Sequence, residues 1–196
     1  VAVKVLAPSS WSPAFTNRFR REATTLASLR HPNIVTCHQA GTNDAGQAYM
    51  VMEFVKGPTL TDLLREGKET FDEKRLTRIL EELLTAIEAI HAVGLIHRDI
   101  KPSNIVLRDG TSPVLIDFGS ARAQVRELDA KIKGDDTRVA LTAIVTPGYS
   151  PLEQEESTTQ DERTDIYALA ATIYHVAFGK KPAAPVLRQG ALREQL

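Results

Sequence analysis

His97-Arg98-Asp99-Ile100-Lys101-Pro102-Ser103-Asn104 sets an imidazole, a guanidinium, a carboxylate, an ammonium and a carboxamide on eight consecutive residues. Pro102 keeps this segment from propagating as helix, because its ring removes an N–H and clashes with the preceding turn. Thirteen residues after Asn104 stands Asp117-Phe118-Gly119, and the apolar run Val114-Leu115-Ile116 before it predicts a strand. A base and a metal ligand on one loop, with a second carboxylate delivered by a strand, are parts that phosphoryl transfer needs. Whether they belong to one site depends on the rest of the chain.

Upstream of the loop, Leu76, Ile79, Leu80, Leu83, Leu84, Ile87 and Ile90 keep helical spacing on one face. Thr70-Phe71-Asp72-Glu73 fits a capping box with Thr70 as N-cap, and Gly94 is a natural stop. This long helix runs through Leu95 and Ile96 straight into the loop. Earlier still, Val1-Ala2-Val3-Lys4-Val5-Leu6 predicts a buried or half-buried strand, and Ser12-Pro13 opens a helix to about Leu29. His31-Pro32-Asn33 ends that helix. Two strands follow, Ile34 to about Gln39 and Gln47 to Val55, around the turn Gly41–Gly46; after Gly57-Pro58 comes a short helix, Thr59 to Arg65. Downstream, Asp165 to Phe178 is almost wholly apolar and predicts a helix buried on most sides, closed by Gly179.

Composition narrows the classes. The 196 residues are 42% hydrophobic and 25% charged, an ordinary globular balance, with 24 Lys+Arg against 25 Asp+Glu. A net charge of −1 gives no reason to expect nucleic acid or an anionic membrane as partner. No apolar run reaches a membrane span. The single cysteine, Cys37, cannot form an internal disulfide, so a reducing, cytoplasmic setting is expected, with any anchor lying outside this stretch.

His-Arg-Asp-x-Lys-Pro-x-Asn followed by Asp-Phe-Gly resembles the catalytic domain of bacterial, eukaryotic-like serine/threonine protein kinases, and the likeness runs from Val1 to about Pro182. The resemblance implies an α+β, protein-kinase-like bilobal fold. Residues 1–54 would form part of the N-lobe, without its first two strands, and 55–196 a mainly helical C-lobe lacking its last helices. It also implies ATP and Mg2+ as cofactors, and a protein substrate bearing Ser or Thr, including the kinase itself by autophosphorylation.

Roles follow motif by motif. Asp99 would accept or orient the proton of the substrate hydroxyl, Lys101 would neutralise the transferring phosphate, and Asn104 and Asp117 would hold magnesium. His97 is expected to be structural. By themselves Lys4 reads as an edge-strand charge and Glu22 as a solvated one. The resemblance makes Lys4 the ligand of the α- and β-phosphates and Glu22 its partner. Adenine would lie between Ala2 and Val106, bonded by backbone groups of Glu53 and Val55 after a gatekeeper-like Met52. Cys37 would join Leu26, His97 and Phe118 in an apolar column between the lobes.

Residues 117–153 correspond to the activation segment. Thr146 would bond Asp99 and Lys101, Arg98 is of the type that pairs with a phosphorylated residue, and Thr137 and Thr142 are the candidate phosphosites. Three departures touch substrate docking: Pro151-Leu152-Glu153 keeps only the glutamate of the family's Ala-Pro-Glu, Val145 replaces a glycine, and Ala170 replaces another. No glycine-rich loop precedes Lys4 and the arginine partner of Glu153 is missing, so this 196-residue stretch alone is expected to be inactive. Two alternatives stay open. A pseudokinase scaffold is opposed by the presence of Lys4, Glu22, Asp99, Asn104 and Asp117, and a small-molecule phosphotransferase by Lys101 and the long segment ending at Glu153.

Overall fold

The computed structural model describes residues 1–5, 23–44, 47–67, 71–117, 146–151 and 161–183. Strands β1 (Ala2–Val5), β2 (Cys37–Thr42) and β3 (Ala48–Met52) form an antiparallel sheet in the order β1-β3-β2. Ala2 lies opposite Met52 and Lys4 opposite Met50. Val3 and Val5 are exposed while Ala2 and Lys4 turn inward, so the strand is oriented by what Lys4 reaches and not by burial of its valines. Of the helix expected from Pro13 to Leu29, residues 23–28 are described and are helical, with Ala23 and Leu26 buried.

The expected strand at 34–39 starts three residues later, at Cys37. Asn33 and Val35 are taken by the strand Ser112–Leu115: Leu115 N–H donates to the Asn33 carbonyl (2.8 Å) and Val35 N–H to that of Leu115 (2.9 Å). Only beyond Thr36 is the chain free to pair with β3. Gly41 and Thr42, expected in the turn, belong to β2, and the turn itself is closed by Asn43, which accepts from Gln47 N–H at 2.8 Å.

Helix α1 (Leu60–Glu66) begins with a capping box in which Thr59 and Asp62 each accept the other's backbone N–H, at 3.1 and 2.9 Å. Helix α2 (Glu73–Ala92) is capped by Asp72, whose carboxylate accepts from Arg75 N–H at 2.8 Å. That corrects the capping box read at Thr70, a residue outside those described. Asp72 immediately precedes the first helical residue, so its side-chain oxygen reaches the first-turn N–H of Arg75. Ile79, Leu83, Ala86, Ile87 and Ile90 form the buried face, each large side chain worth roughly 1.5–3 kcal/mol. Leu84, read as part of that face, is 41% exposed. The helix stops in a Schellman turn: Gly94 at φ 72° donates to His91, and Leu95 donates to Ile90.

After a short 3-10 turn (Pro102–Asn104), strands β4 (Ile105–Arg108) and β5 (Ser112–Leu115) make an antiparallel hairpin. Helix α3 (Arg163–Phe178) packs against α2. It buries Thr164, Asp165, Ala168, Leu169, Ala171, Thr172 and Val176 but leaves Ile166, Tyr174 and Phe178 exposed. The expectation of burial on most sides fails because, among the described residues, its apolar positions go all round while its packing is one-sided. One continuous core joins the parts, running from Leu26 and Cys37 through Leu60, Leu83, Ile87, Ile105 and Leu115 to Leu169.

Candidate active site

The loop from His97 is held from below. Asp165, fully buried at the start of α3, accepts from the backbone N–H of His97 through Oδ2 and of Arg98 through Oδ1, both at 2.8 Å. A third bond runs to His91 Nε2, also 2.8 Å. Burial pushes the Asp165 carboxyl up. The His91 hydrogen bond, the charge of His97 and the two backbone N–H groups outweigh it and hold the group below the ordinary carboxylate value. The same hydrogen bond raises His91. Burial pushes the His97 imidazole down. Arg98 sits at φ 67°, a left-handed conformation costing about 1–3 kcal/mol. Asp165 supports the strained peptide by bonding the N–H on either side of His97.

Above this brace the functional groups converge. Lys101 Nζ lies 2.9 Å from Asp99 Oδ2. Asn104 Nδ2 donates to the same carboxylate oxygen (2.9 Å) and to the Asp99 carbonyl (2.8 Å). Thr146 Oγ1 stands 3.5 Å from the other oxygen, Asp99 Oδ1. The 3-10 turn makes this possible: Asn104 N–H bonds the Lys101 carbonyl, folding residue 104 back over residue 99. Asn104 Oδ1 accepts from the Ser103 hydroxyl at 3.5 Å. The Asn104 carbonyl accepts from Ile116 N–H at 2.9 Å, which sets where the strand after the hairpin releases Asp117.

Asp117, at φ 61°, forms an ion pair with Lys4. Lys4 stands on β1 and Asp117 two residues past the strand that ends at Leu115; the partner expected for Lys4 from the sequence is Glu22. Glu22 lies outside the described residues, as do Phe118, Thr137, Thr142 and Glu153.

The positions assigned to adenine also meet. Ala2 is opposite Met52 in the sheet, and Met52 packs on a cluster of Val35, Val55, Val106 and Val114. Glu53 N–H is spent on the Thr36 carbonyl at 2.8 Å. Among the described residues, the Glu53 carbonyl and the N–H of buried Val55 enter no hydrogen bond. An acceptor and a donor two residues apart, beside an apolar cluster, suit the edge of a flat heterocycle.

On the other side, Thr146-Pro147-Gly148-Tyr149 is docked on the end of α3. Tyr149 OH bonds His175 Nδ1, and Lys181 Nζ lies 5.1 Å from the centre of the tyrosine ring. Burial pushes the Tyr149 hydroxyl up to about 12, so it stays a donor. Gly148 (φ 89°) is needed here, since a Cβ would come within 2.5 Å of the Pro182 carbonyl.

Three participants escaped the sequence reading: His91, His175 and the Arg108–Glu53 pair described below. His91 had a weak signal, as a titratable residue in the last turn of α2, where cations are favoured. The others had none, because their partners are remote in sequence.

The sequence model of the protein kinase domain matches residues 1–194. The serine/threonine-protein kinase PknB of Mycobacterium tuberculosis is 39% identical over 189 residues, which is 93% of this chain and 29% of that protein. A probable serine/threonine-protein kinase PknB of Bifidobacterium longum is 33% identical over 195 residues, 93% of this chain and 27% of that protein. The chain thus spans less than a third of the length of these relatives. Among solved structures, the apo form of PpkA-294 superposes with a TM-score of 0.72 at 35% identity, covering 90% of this chain and 58% of that one. The kinase domain of M. tuberculosis PknI gives 0.70 at 29% identity, covering 93% and 64%.

Proposed function

The chain belongs to the protein kinase family, and from that premise we propose that it carries the catalytic centre of an ATP-dependent kinase acting on Ser and Thr hydroxyls of protein substrates. The observation that carries this reading is the convergence on Asp99: Lys101 and Asn104 share one carboxylate oxygen, and Thr146 marks the approach to the other. A hydroxyl entering beside Thr146 would meet Asp99 Oδ1 as base or proton acceptor. Lys101 would neutralise charge gathering on the phosphoryl group in flight. The proton leaves the nucleophilic oxygen for Asp99 as the new P–O bond forms and the bond to the ADP oxygen breaks.

Asn104 Oδ1 and the Asp117 carboxylate are the residues that would hold magnesium. They fit it by their chemistry: both are hard oxygen donors, and magnesium needs only one or two protein ligands beside phosphate and water. When bound, the ion supplies charge neutralisation between the phosphates. Lys4 would bind the α- and β-phosphates, and Ala2, Met52, Glu53, Val55 and Val106 would hold the adenine.

Residues 1–54 and 55–196 would act as the two lobes around this cleft, with the segment bearing Thr137 and Thr142 as a substrate of the kinase itself. No helix among the described residues is long and apolar enough to cross a membrane.

Asp99→Asn in the intact protein tests the proposal, with phosphate transfer from labelled ATP to a Ser/Thr peptide as readout. We expect kcat to fall about 10²–10⁴-fold, the usual share of a general base. An unchanged kcat would remove Asp99 from the chemistry.

A further inference from the structure

Residues 53–58 join the first sheet to α1 without regular structure, yet the nucleotide's edge would rest on their peptide groups. Backbone contacts lay this segment along β4. Leu107 N–H donates to the Pro58 carbonyl (2.9 Å) and Asp109 N–H to that of Lys56 (3.1 Å). Gly57, at φ 152°, lies so close that a Cβ there would be 1.9 Å from the Leu107 carbonyl. All of these ties fall on residues 56–58. The part that would meet adenine, Glu53 to Val55, is held differently.

Arg108, the last residue of β4, reaches it from below. Its Nη2 donates to Glu53 Oε1 at 2.7 Å, and its Nη1 to the Pro32 carbonyl at 3.3 Å. One guanidinium therefore spans three segments: the hairpin, the linker and the turn that precedes Ile34. The Pro32 end is itself anchored, because Asn33 Nδ2 bonds Glu82 (2.9 Å) and the Pro113 carbonyl (2.8 Å). Arginine suits this task better than lysine, since its planar fork can serve two acceptors in fixed geometry. Both partners are about one-third exposed, at 33% and 32% of the side chain, so the pair is partly screened and its effect modest.

We infer that Arg108 is a positioning residue for the nucleotide, acting through the Glu53 side chain to fix the linker's peptide groups. The inference rests on the kinase reading above. Adenine contacts are the same in the ground and transition states, so loosening them raises KM for ATP and leaves kcat alone.

The experiment compares Arg108→Met, Glu53→Gln and the swapped pair Arg108→Glu with Glu53→Arg, in the intact protein. Either single change should raise KM for ATP roughly 2–5-fold, the range for losing one partly exposed charged pair, with kcat within about twofold. The swap should recover most of the loss. Amide hydrogen exchange at Glu53, whose N–H bonds the Thr36 carbonyl, should quicken in both single variants, and this readout requires no turnover. Glu53→Gln is nearly isosteric, so it reports even where Arg108→Met folds poorly. An unchanged KM, a fall confined to kcat, or no recovery in the swap would overturn the inference. Failure of the unsubstituted protein to bind or use ATP would instead overturn the kinase reading, and the exchange rates would then decide the clamp alone.

Discussion

Replacing Asp165 by Asn removes one negative charge and no volume, and it should be among the most damaging changes this fold can suffer. The carboxylate, fully buried, accepts three bonds of 2.8 Å, from His97 N–H, Arg98 N–H and His91 Nε2. A carboxamide has one oxygen and one NH2. Whichever way it turns, its NH2 faces at least one of the backbone donors, leaving that N–H buried and unsatisfied. One orphaned group costs about 1–3 kcal/mol, and loss of the charge weakens the surviving bonds, each of the charged kind worth about 1.5–3 kcal/mol. The sum is about 3–5 kcal/mol of stability, read as a lower urea midpoint at unchanged slope. Activity should fall further than stability explains, because Arg98 at φ 67° loses what holds it there and carries Asp99 with it. The assay is therefore paired: urea denaturation of the variant, and kcat at a temperature where it remains folded. A loss below about 1 kcal/mol with unaltered kcat would refute the bracing argument.

His91 has its affinity for a proton raised by the Asp165 hydrogen bond, so its contribution is present in full below the unfolded-state value near 6.5 and is lost as pH rises through the higher folded value. Stability should accordingly decline as pH rises above about 6.5, and His91→Gln should flatten that decline in denaturation midpoints taken from pH 6 to 9. Asp165 itself, held low, contributes stability that is present above the unfolded carboxylate value and is lost as pH falls through the lower folded one. Gly57→Ala should cost at least about 2 kcal/mol by thermal denaturation, since φ 152° and a Cβ at 1.9 Å from the Leu107 carbonyl allow no small adjustment. A midpoint within a degree of the unsubstituted protein would show that the linker moves freely off β4.

Much of this arrangement was legible from the sequence because its parts are local. Asp99, Lys101 and Asn104 fall within six residues, and the Pro102 turn that folds them together is part of the same stretch. Helix α2 was visible from its spacing and its glycine stop. Its start was misplaced because Thr70 and Asp72 are both good caps, and only the side chain's actual reach distinguishes them. The strand near residue 34 was misplaced because Asn33 and Val35 have two possible partners, β3 and β5, and the pairing is settled by a strand some eighty residues away. Leu84 and the outer face of α3 were read as core because apolar character says a side chain can be buried, not that anything lies against it.

The sequence by itself determined the chemistry: which functional groups are available, in what order, and on what kind of loop. Short-range sterics and hydrogen bonding decide such things, and those are written in neighbouring residues. Tertiary structure alone decided the associations. It brought Lys4 to Asp117, set His91 against Asp165, and placed Arg108 beside Glu53. Each is an attraction between charged or polar groups far apart along the chain, and nothing in their local sequence distinguishes them from solvated surface charges. They gain partners only because the apolar core, which is indifferent to charge, folds first-order packing into a geometry that leaves those groups face to face, partly shielded from water. The loop from His97 to Asn104 carries the reactive groups; the remote carboxylate beneath it sets where they point.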